Sequence, residues 1–371
     1  MNLSYWEYNS WLSNLDFTVV GSGIVGLTTA IAIKKRYPKA KVLVLEKGIL
    51  PQGASTKNAG FACFGSISEI LSDLSTHTEK EVIQLVQERY EGIRLLRKML
   101  GDKQIEFMLF GGHEVFLEKD RALYEKCLEK RLSINRLLRP IFRGDAFQLH
   151  ENNYGFQNIL PRYITHEFEG QLNTGMMVKA LLKKAREKDI TILNGLAVEQ
   201  YSEGVHGVHV KTNEFEFKTS KLMIATNGFA TQLLKEAVQP ARAQVIITRP
   251  INNLAIKGTF HFDEGYYYFR NIDNRILFGG GRNLDFKTEN TTQFGSTEVI
   301  QNQLEHLLET MILPKTKFEI EARWSGIMGV GQQKRPIIKQ VSENVFCGIR
   351  LGGMGIAIGS LVGNKMAQLV S

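Results

Sequence analysis

Cysteine is scarce in this chain of 371 residues: Cys63, Cys127 and Cys347 stand far apart, and none falls in a C-x-x-C spacing. That argues against a cysteine-based zinc site and against a disulfide framework, and it suits a reducing compartment. Blocks of one charge are missing too. The net charge is +8 and the pI about 9.2, yet no run of five or more lysines and arginines occurs. Basic residues often stand beside acids, as in Lys119-Asp120-Arg121 and Glu129-Lys130-Arg131. The excess is read first as solvated surface, with an acidic substrate or a polyanion as the remaining readings. No membrane-length apolar run exists: the longest, residues 17–33, holds a glycine turn and three threonines. Residues 1–16 lack the basic start and apolar core of a secretory signal, so a soluble, cytoplasmic protein is expected. There is no His-x-x-x-His, no Gly-x-Ser-x-Gly elbow, no acidic metal cluster, no internal repeat and no linker. The eight histidines are scattered, and each is read as structural. No metal is expected.

What is present is concentrated between Phe17 and Glu46. An apolar run, Phe17-Thr18-Val19-Val20, meets the turn Gly21-Ser22-Gly23-Ile24-Val25-Gly26, then a helical segment to about Tyr37, then Val42-Leu43-Val44-Leu45 closed by Glu46. Gly21 makes the turn tight, Gly23 lets the backbone approach a pyrophosphate, and Gly26 lets the helix pack on the strand. Helix N-terminal amides would face the phosphates, and Glu46 would accept from a ribose. A lone glycine motif is weak, but strand, turn, helix, strand and acid in this order form a dinucleotide-binding unit.

Length predicts two domains or one with a major insertion, and a hydrophobic fraction of 43% is ordinary for a globular chain. After Glu46 come Lys47-Gly48 and the small-residue stretch Gly53 to Ala62, placed to cover a cofactor. The spacing of Val82, Leu85, Val86, Tyr90, Ile93 and Leu96 predicts a long amphipathic helix over 79–100. Residues 121–138 read as a helix stopped before Pro140, and 141–165 as irregular. Asn173 or Thr174 caps a helix to Lys188, and a small meander and a buried strand ending at Gly228 follow. Tyr266 to Arg270 and Arg275 to Gly281 form a hairpin around Asp273-Asn274, with Tyr266, Tyr268 and Arg270 on one face. Gly352 to Ser360 is a second glycine-rich helix start.

Laid out in order, these blocks resemble the D-amino-acid oxidase superfamily of FAD-dependent oxidoreductases, in the branch of gamma-glutamylputrescine, glycine and sarcosine oxidases. The blocks are Gly21–Gly26 with Glu46, Gly53–Phe61, Gly170–Asn173, Ile224–Gly228, Tyr267–Gly281, and Trp324–Gly326 with Gly353–Gly359. The resemblance implies an α/β (overall α+β) fold: a Rossmann-type FAD-binding domain (1–76, 161–237, 319–371) with an interleaved substrate domain (77–160, 238–318) on a mixed, largely antiparallel sheet. It implies FAD held by Gly21, Ser22, Gly23, Ile24, Val25 and Gly26, with Glu46 and Lys47 at the ribose. Ser55, Thr56, Asn58, Ala59, Gly60 and Phe61 would line the pyrophosphate and flavin, and Val198 the adenine. Thr226, Asn227 and Gly228 would lie near the ribose and phosphates. Gly326, Gly353, Met354, Gly355 and Ile356 would meet the flavin. The implied chemistry is oxidation of a small amine or amino acid by hydride transfer to flavin N5, then hydrolysis of the imine, with oxygen as acceptor. A same-fold dehydrogenase serving a quinone or carrier, or an oxidase domain acting on a modified tRNA base, is the alternative.

Departures from the family pattern shape the expectations. Met328 stands where amino-acid-oxidising members carry a carboxylate-binding arginine, which leaves Arg270 or Arg350 to serve beside Tyr266 and Tyr268. The hairpin lacks the oxygen-activating lysine of sarcosine oxidases. Thr56 and Lys57 occupy the part of the early loop where relatives link the cofactor, so FAD is expected to be non-covalent.

Overall fold

The computed structural model describes residues 2–370. Two eight-stranded sheets organise them. The first runs Ile337–Gln340, Val345–Ile349, Glu216–Ile224, Leu15–Val20, Val42–Glu46, Thr191–Asn194, and the meander Val198–Gly204 and Gly207–Thr212 joins it at Glu216–Ile224. Its inner pairings are parallel. All of Val42–Glu46 is buried, as a parallel strand covered on both faces requires.

Helix Ile24–Arg36 packs against Thr174–Arg186 and against the C-terminal helix Gly355–Gln368. A Cβ on Gly26 would stand 1.9 Å from the Gly21 carbonyl oxygen, so only glycine permits this helix to start so close to the turn. Helix Glu79–Leu100 opens on a capping box between Thr78 and Glu81 and buries Val82, Val86, Ile93 and Leu96. It crosses the C-terminal helix at Gly92, where a Cβ would meet the Ala357 carbonyl oxygen at 2.0 Å.

The second sheet runs Ile320–Val330, Gln239–Thr248, Arg275–Gly280, Tyr267–Ile272, Thr259–Phe262, Gly112–Glu114, Arg162–His166, Phe147–Glu151. All its pairings are antiparallel save Thr259–Phe262 with Gly112–Glu114. Phe260, Phe262, Phe269 and Phe278 fill its core. The expected hairpin turn is there: Asp273 and Asn274 have φ of +46° and +57°, as a type I′ turn requires.

The sheets depart from the sequence reading in several places. Strands Arg162–His166 and Ile320–Val330 pair within the second sheet, although the expected division puts both ranges with the first. Helix Glu79–Leu100 falls the other way, joining the core beneath the first sheet. Residues 141–165 are not irregular throughout. Phe147–Glu151 is an edge strand whose one buried residue, Phe147, leaves no apolar alternation to read. Pro140 lies inside the last turn of helix Arg121–Phe142, which ends at a left-handed Arg143 (φ +58°). A proline so near the end removes one helical N–H without preventing the final residues from coiling.

Candidate functional site

A cavity of about 760 Å³ opens between elements of both sheets, well within the ~300–1,000 Å³ range of ligand pockets. At one end Gly21 holds the turn at φ +103°, a left-handed value that glycine tolerates. The Glu46 carboxylate is fixed there: its Oε2 accepts from the Ser22 N–H (3.1 Å) and hydroxyl (2.7 Å), and its Oε1 from the Gly48 N–H (3.0 Å). Ser55 Oγ accepts from the Ile24 N–H at 2.9 Å, tying the loop to the helix start. The loop is stitched by Asn58, whose amide donates to the Ala54 and Ser55 carbonyls while its oxygen accepts from Gly60 N–H and the Thr174 hydroxyl. Trp324 Nε1 donates to the Lys57 carbonyl at 2.9 Å and fastens the same loop to the second sheet.

Two helices, Ile24–Arg36 and Gly355–Gln368, start at the cavity from Gly23 and Met354, neither of which supplies a side-chain cap. Their positive ends therefore face the space. Thr226 Oγ1, in the wall, is buried without a hydrogen-bond partner among the described residues. The other end of the cavity is aromatic and apolar. Phe61 and Tyr268 meet edge to face at 5.8 Å, and Tyr266, His261, Met328 and Met354 complete the wall.

The model of the family described as DAO, FAD dependent oxidoreductase, matches residues 16–369. The chain belongs to this DAO family. Gamma-glutamylputrescine oxidoreductase of Escherichia coli K12 is 23% identical over 96% of this chain and 83% of that protein. Among solved structures, glycine oxidase from Geobacillus kaustophilus superposes with a TM-score of 0.76 at 19% identity, covering 96% of this chain and 94% of that one. L-proline dehydrogenase from P. horikoshii gives 0.75 at 18% identity, covering 96% and 93%.

FAD is the cofactor of this DAO-family chain, and the residues fit it. The two helix starts, apart from the Ile24 N–H that Ser55 already takes, and the Thr226 hydroxyl, unpartnered among the described residues, offer hydrogen-bond donors to an anionic cofactor, and a Cβ on Gly353 would meet nothing within 4 Å. Every residue expected to touch the cofactor lines the cavity except Ser22, Gly26, Thr56 and Gly228. Ser22 is spent on Glu46, and Gly26 on the contact with Gly21. The Thr56 hydroxyl donates to the Pro51 and Gly53 carbonyls, and Gly228 packs on the Met328 carbonyl.

Of the expected catalytic residues, Tyr266, Tyr268 and Met328 line the cavity, whereas Arg270 and Arg350 do not. Arg270 shares the Tyr268 side of its strand, but its guanidinium is buried against backbone. It donates to the carbonyls of Leu172 (2.7 Å), Ala59 (3.1 Å), Gly60 (3.3 Å) and Asn271 (3.0 Å), and burial presses its pKa down to about 10. Arg350 donates to the Arg335 and Ala237 carbonyls. Among the lining residues that the sequence does not mark, three carry titratable or charged groups of interest. Among the described residues His261 is the one histidine that lines the cavity, and its buried Nε2 makes no hydrogen bond and lies 3.9 Å from Glu114 Oε1. Glu169 accepts from the Phe64 (2.5 Å) and Gly65 (3.1 Å) N–H groups, and burial pushes its carboxyl up to about 7. Arg282 directly follows Gly279-Gly280-Gly281 at the end of the hairpin and lines the cavity.

Proposed function

We propose that this flavoprotein oxidises the carbon–nitrogen bond of a small amine or amino acid. The observation that carries the reading is the aromatic and apolar end of the cavity, where Phe61, Tyr268, Met328 and Met354 exclude water beside the start of the C-terminal helix. FAD supplies the two-electron acceptor when bound. The chain's own part is to orient and desolvate the substrate. The positive end of helix Gly355–Gln368 favours negative charge where it meets the cavity. His261 lines the cavity with its Nε2 turned toward Glu114. In this reading the first sheet and its helices form the FAD-binding portion and the second sheet the substrate portion. FAD is held without a covalent link, since Thr56 and Lys57 stand in the early loop and Cys347 is buried in a strand of the first sheet. Three free thiols fit a cytoplasmic setting.

Oxygen is the proposed acceptor, with a quinone or protein carrier as the second reading. The second reading is favoured by the hairpin Tyr267–Gly280, which carries no lysine, and by the pairing of cavity-lining Lys334 with Glu69 and Asp73. The test is anaerobic bleaching of the bound flavin by a panel of amines, amino acids, polyamines and 2-hydroxy acids, followed by air. Bleaching by an amine or amino acid is expected, and fast recovery in air would establish the oxidase. Slow recovery would select the carrier. Bleaching by 2-hydroxy acids alone would overturn the C–N reading.

A further inference from the structure

The positive charge of the chain is not spread evenly. Residues 34–41 hold five lysines and arginines and no acid, and residues 183–189 hold four against Glu187 and Asp189. These two short segments therefore carry +7 of the net +8. The fold brings them together. Helix Ile24–Arg36 returns the chain to the start of Val42–Glu46, and helix Thr174–Arg186 returns it to the start of Thr191–Asn194. The two strands are parallel neighbours, so both helices end at one edge of the first sheet, and Lys34 Nζ stands 4.0 Å from Asp189 Oδ2. Complementing the helix dipoles accounts for cations in the last turns, but not for Lys39, Lys41 and Lys188 beyond the helix ends.

The same edge carries an exposed aromatic segment. Strand Leu15–Val20 runs parallel to Val42–Glu46 and starts at this edge, so the turns Tyr5–Glu7 and Tyr8–Leu12 that lead into it lie there too. Tyr5 and Trp6 are 70% and 72% exposed, Tyr8 and Trp11 are exposed beside them, and only Leu12 of the two turns is buried. Lys41 joins the aromatic and basic parts: its Nζ donates to the Ser13 carbonyl at 2.8 Å and its N–H to Asp16 Oδ2 at 2.7 Å. The acids here are engaged. Glu7 accepts from the Ser4 N–H, Asp16 from Lys41, and Glu187 lies 3.9 and 3.7 Å from Lys183 and Lys184. The side chains of exposed Lys35 and Lys39 make no ion pair or hydrogen bond among the described residues.

We propose that this edge of the first sheet is a membrane-surface site, with anionic phospholipid headgroups on the lysines and the Tyr and Trp rings in the headgroup zone. Trp and Tyr settle at that depth because it serves both an apolar ring and a polar tip. Lysines beside them add attraction to an anionic leaflet. Seven of the nine cations in the two segments are lysine, and Arg36 is spent on the Ala367 and Val370 carbonyls. The planar guanidiniums that stack on bases are scarce, which favours lipid over nucleic acid. The Gly21–Gly26 turn follows the far end of Leu15–Val20, a strand of six residues, and so lies roughly 20 Å away. A bound membrane leaves the cofactor turn free, whichever bond the flavin oxidises.

The test is co-sedimentation of the FAD-loaded enzyme with phosphatidylcholine vesicles holding about one-third phosphatidylserine. Binding to these vesicles and not to pure phosphatidylcholine is expected, with loss at high salt. Lys35→Gln combined with Lys39→Gln is expected to weaken binding about 10- to 30-fold, and Trp6→Ala about 5- to 10-fold. Tryptophan emission should shift to the blue on vesicle binding, and shift less in Trp6→Ala. Unchanged FAD content and flavin spectrum show that the variants are folded. No co-sedimentation of the wild type, or binding that neither variant weakens, would overturn the site. So would RNA that binds through Lys35 and Lys39 while the vesicles do not, which would make this edge a nucleic-acid surface.

Discussion

Glu169 shows how far a single side chain can depart from its ordinary chemistry in this fold. Its carboxyl sits at the cavity wall with two backbone N–H groups on one oxygen, yet burial outweighs them and raises its pKa to about 7. A raised carboxyl is protonated in the folded state where the unfolded chain has already ionised. Below about pH 4.5 both states hold the proton and nothing is lost; as pH rises through 4.5 to 7 the unfolded state gains, and stability falls. Glu169→Gln keeps an oxygen for the Phe64 and Gly65 amides and removes that loss. Its melting temperature is expected to exceed the wild type's above pH 7 and to converge with it near pH 4, checked by thermal unfolding across that range. Buried His113 and His166, both held down to about 3, act oppositely: they stay neutral when folded, so stability falls as pH drops below about 6.5. At this scale the sequence was only partly legible. Strand alternation puts Tyr268 and Arg270 on one side, but nothing local says that the Ala59, Gly60 and Leu172 carbonyls will reach the arginine first. Histidine, glutamate and arginine outside any motif carry no mark of the cavity they will face.

Among the elements, legibility followed burial. Leu15–Val20, Val42–Glu46 and Glu79–Leu100 have strong apolar periodicity and stand where the sequence puts them to within a few residues. Phe147–Glu151, a mostly exposed edge strand, does not announce itself. Gly92 is a quieter case: inside a helix it reads as a weak spot, and its reason is the C-terminal helix crossing above it. In an open helix Gly→Ala would gain about 1 kcal/mol. Here the new methyl meets backbone at 2.0 Å, and backbone cannot rotate away. Gly92→Ala is expected to cost about 1–3 kcal/mol and to weaken FAD binding by shifting the start of Gly355–Gln368. Thermal unfolding and a flavin-fluorescence titration check both; a rise in melting temperature would show that the helices slide apart freely.

For the whole molecule, the sheets are not two beads on a string. The second takes Ile320–Val330 and Arg162–His166 from ranges that also feed the first, and buried Arg270 bolts them together by donating to the Ala59, Gly60 and Leu172 carbonyls. Arg270→Met would strand those carbonyls. A loss of at least about 2 kcal/mol in urea unfolding is expected, with the FAD-loaded fraction bleached by substrate at an unchanged rate. Slowed bleaching at full stability would instead return Arg270 to the substrate site. The two-sheet architecture was legible because its glycine-rich blocks come in order. The exchange of strands between sheets was not, because pairing partners far apart in sequence leave no local signal.

The pairing of Leu15–Val20 with Glu216–Ile224, and of that strand with Val345–Ile349, bears on how the chain is made. On a ribosome adding about 5–20 residues per second, the first strand emerges on the order of tens of seconds before its Glu216–Ile224 neighbour exists, with only Val42–Glu46 beside it. Its flat apolar faces must be shielded through that interval, and the nascent chain cannot close its FAD site until the last helix has been synthesised. Soluble yield should therefore depend more on holdase chaperones at the exit tunnel than on the stability of the finished fold.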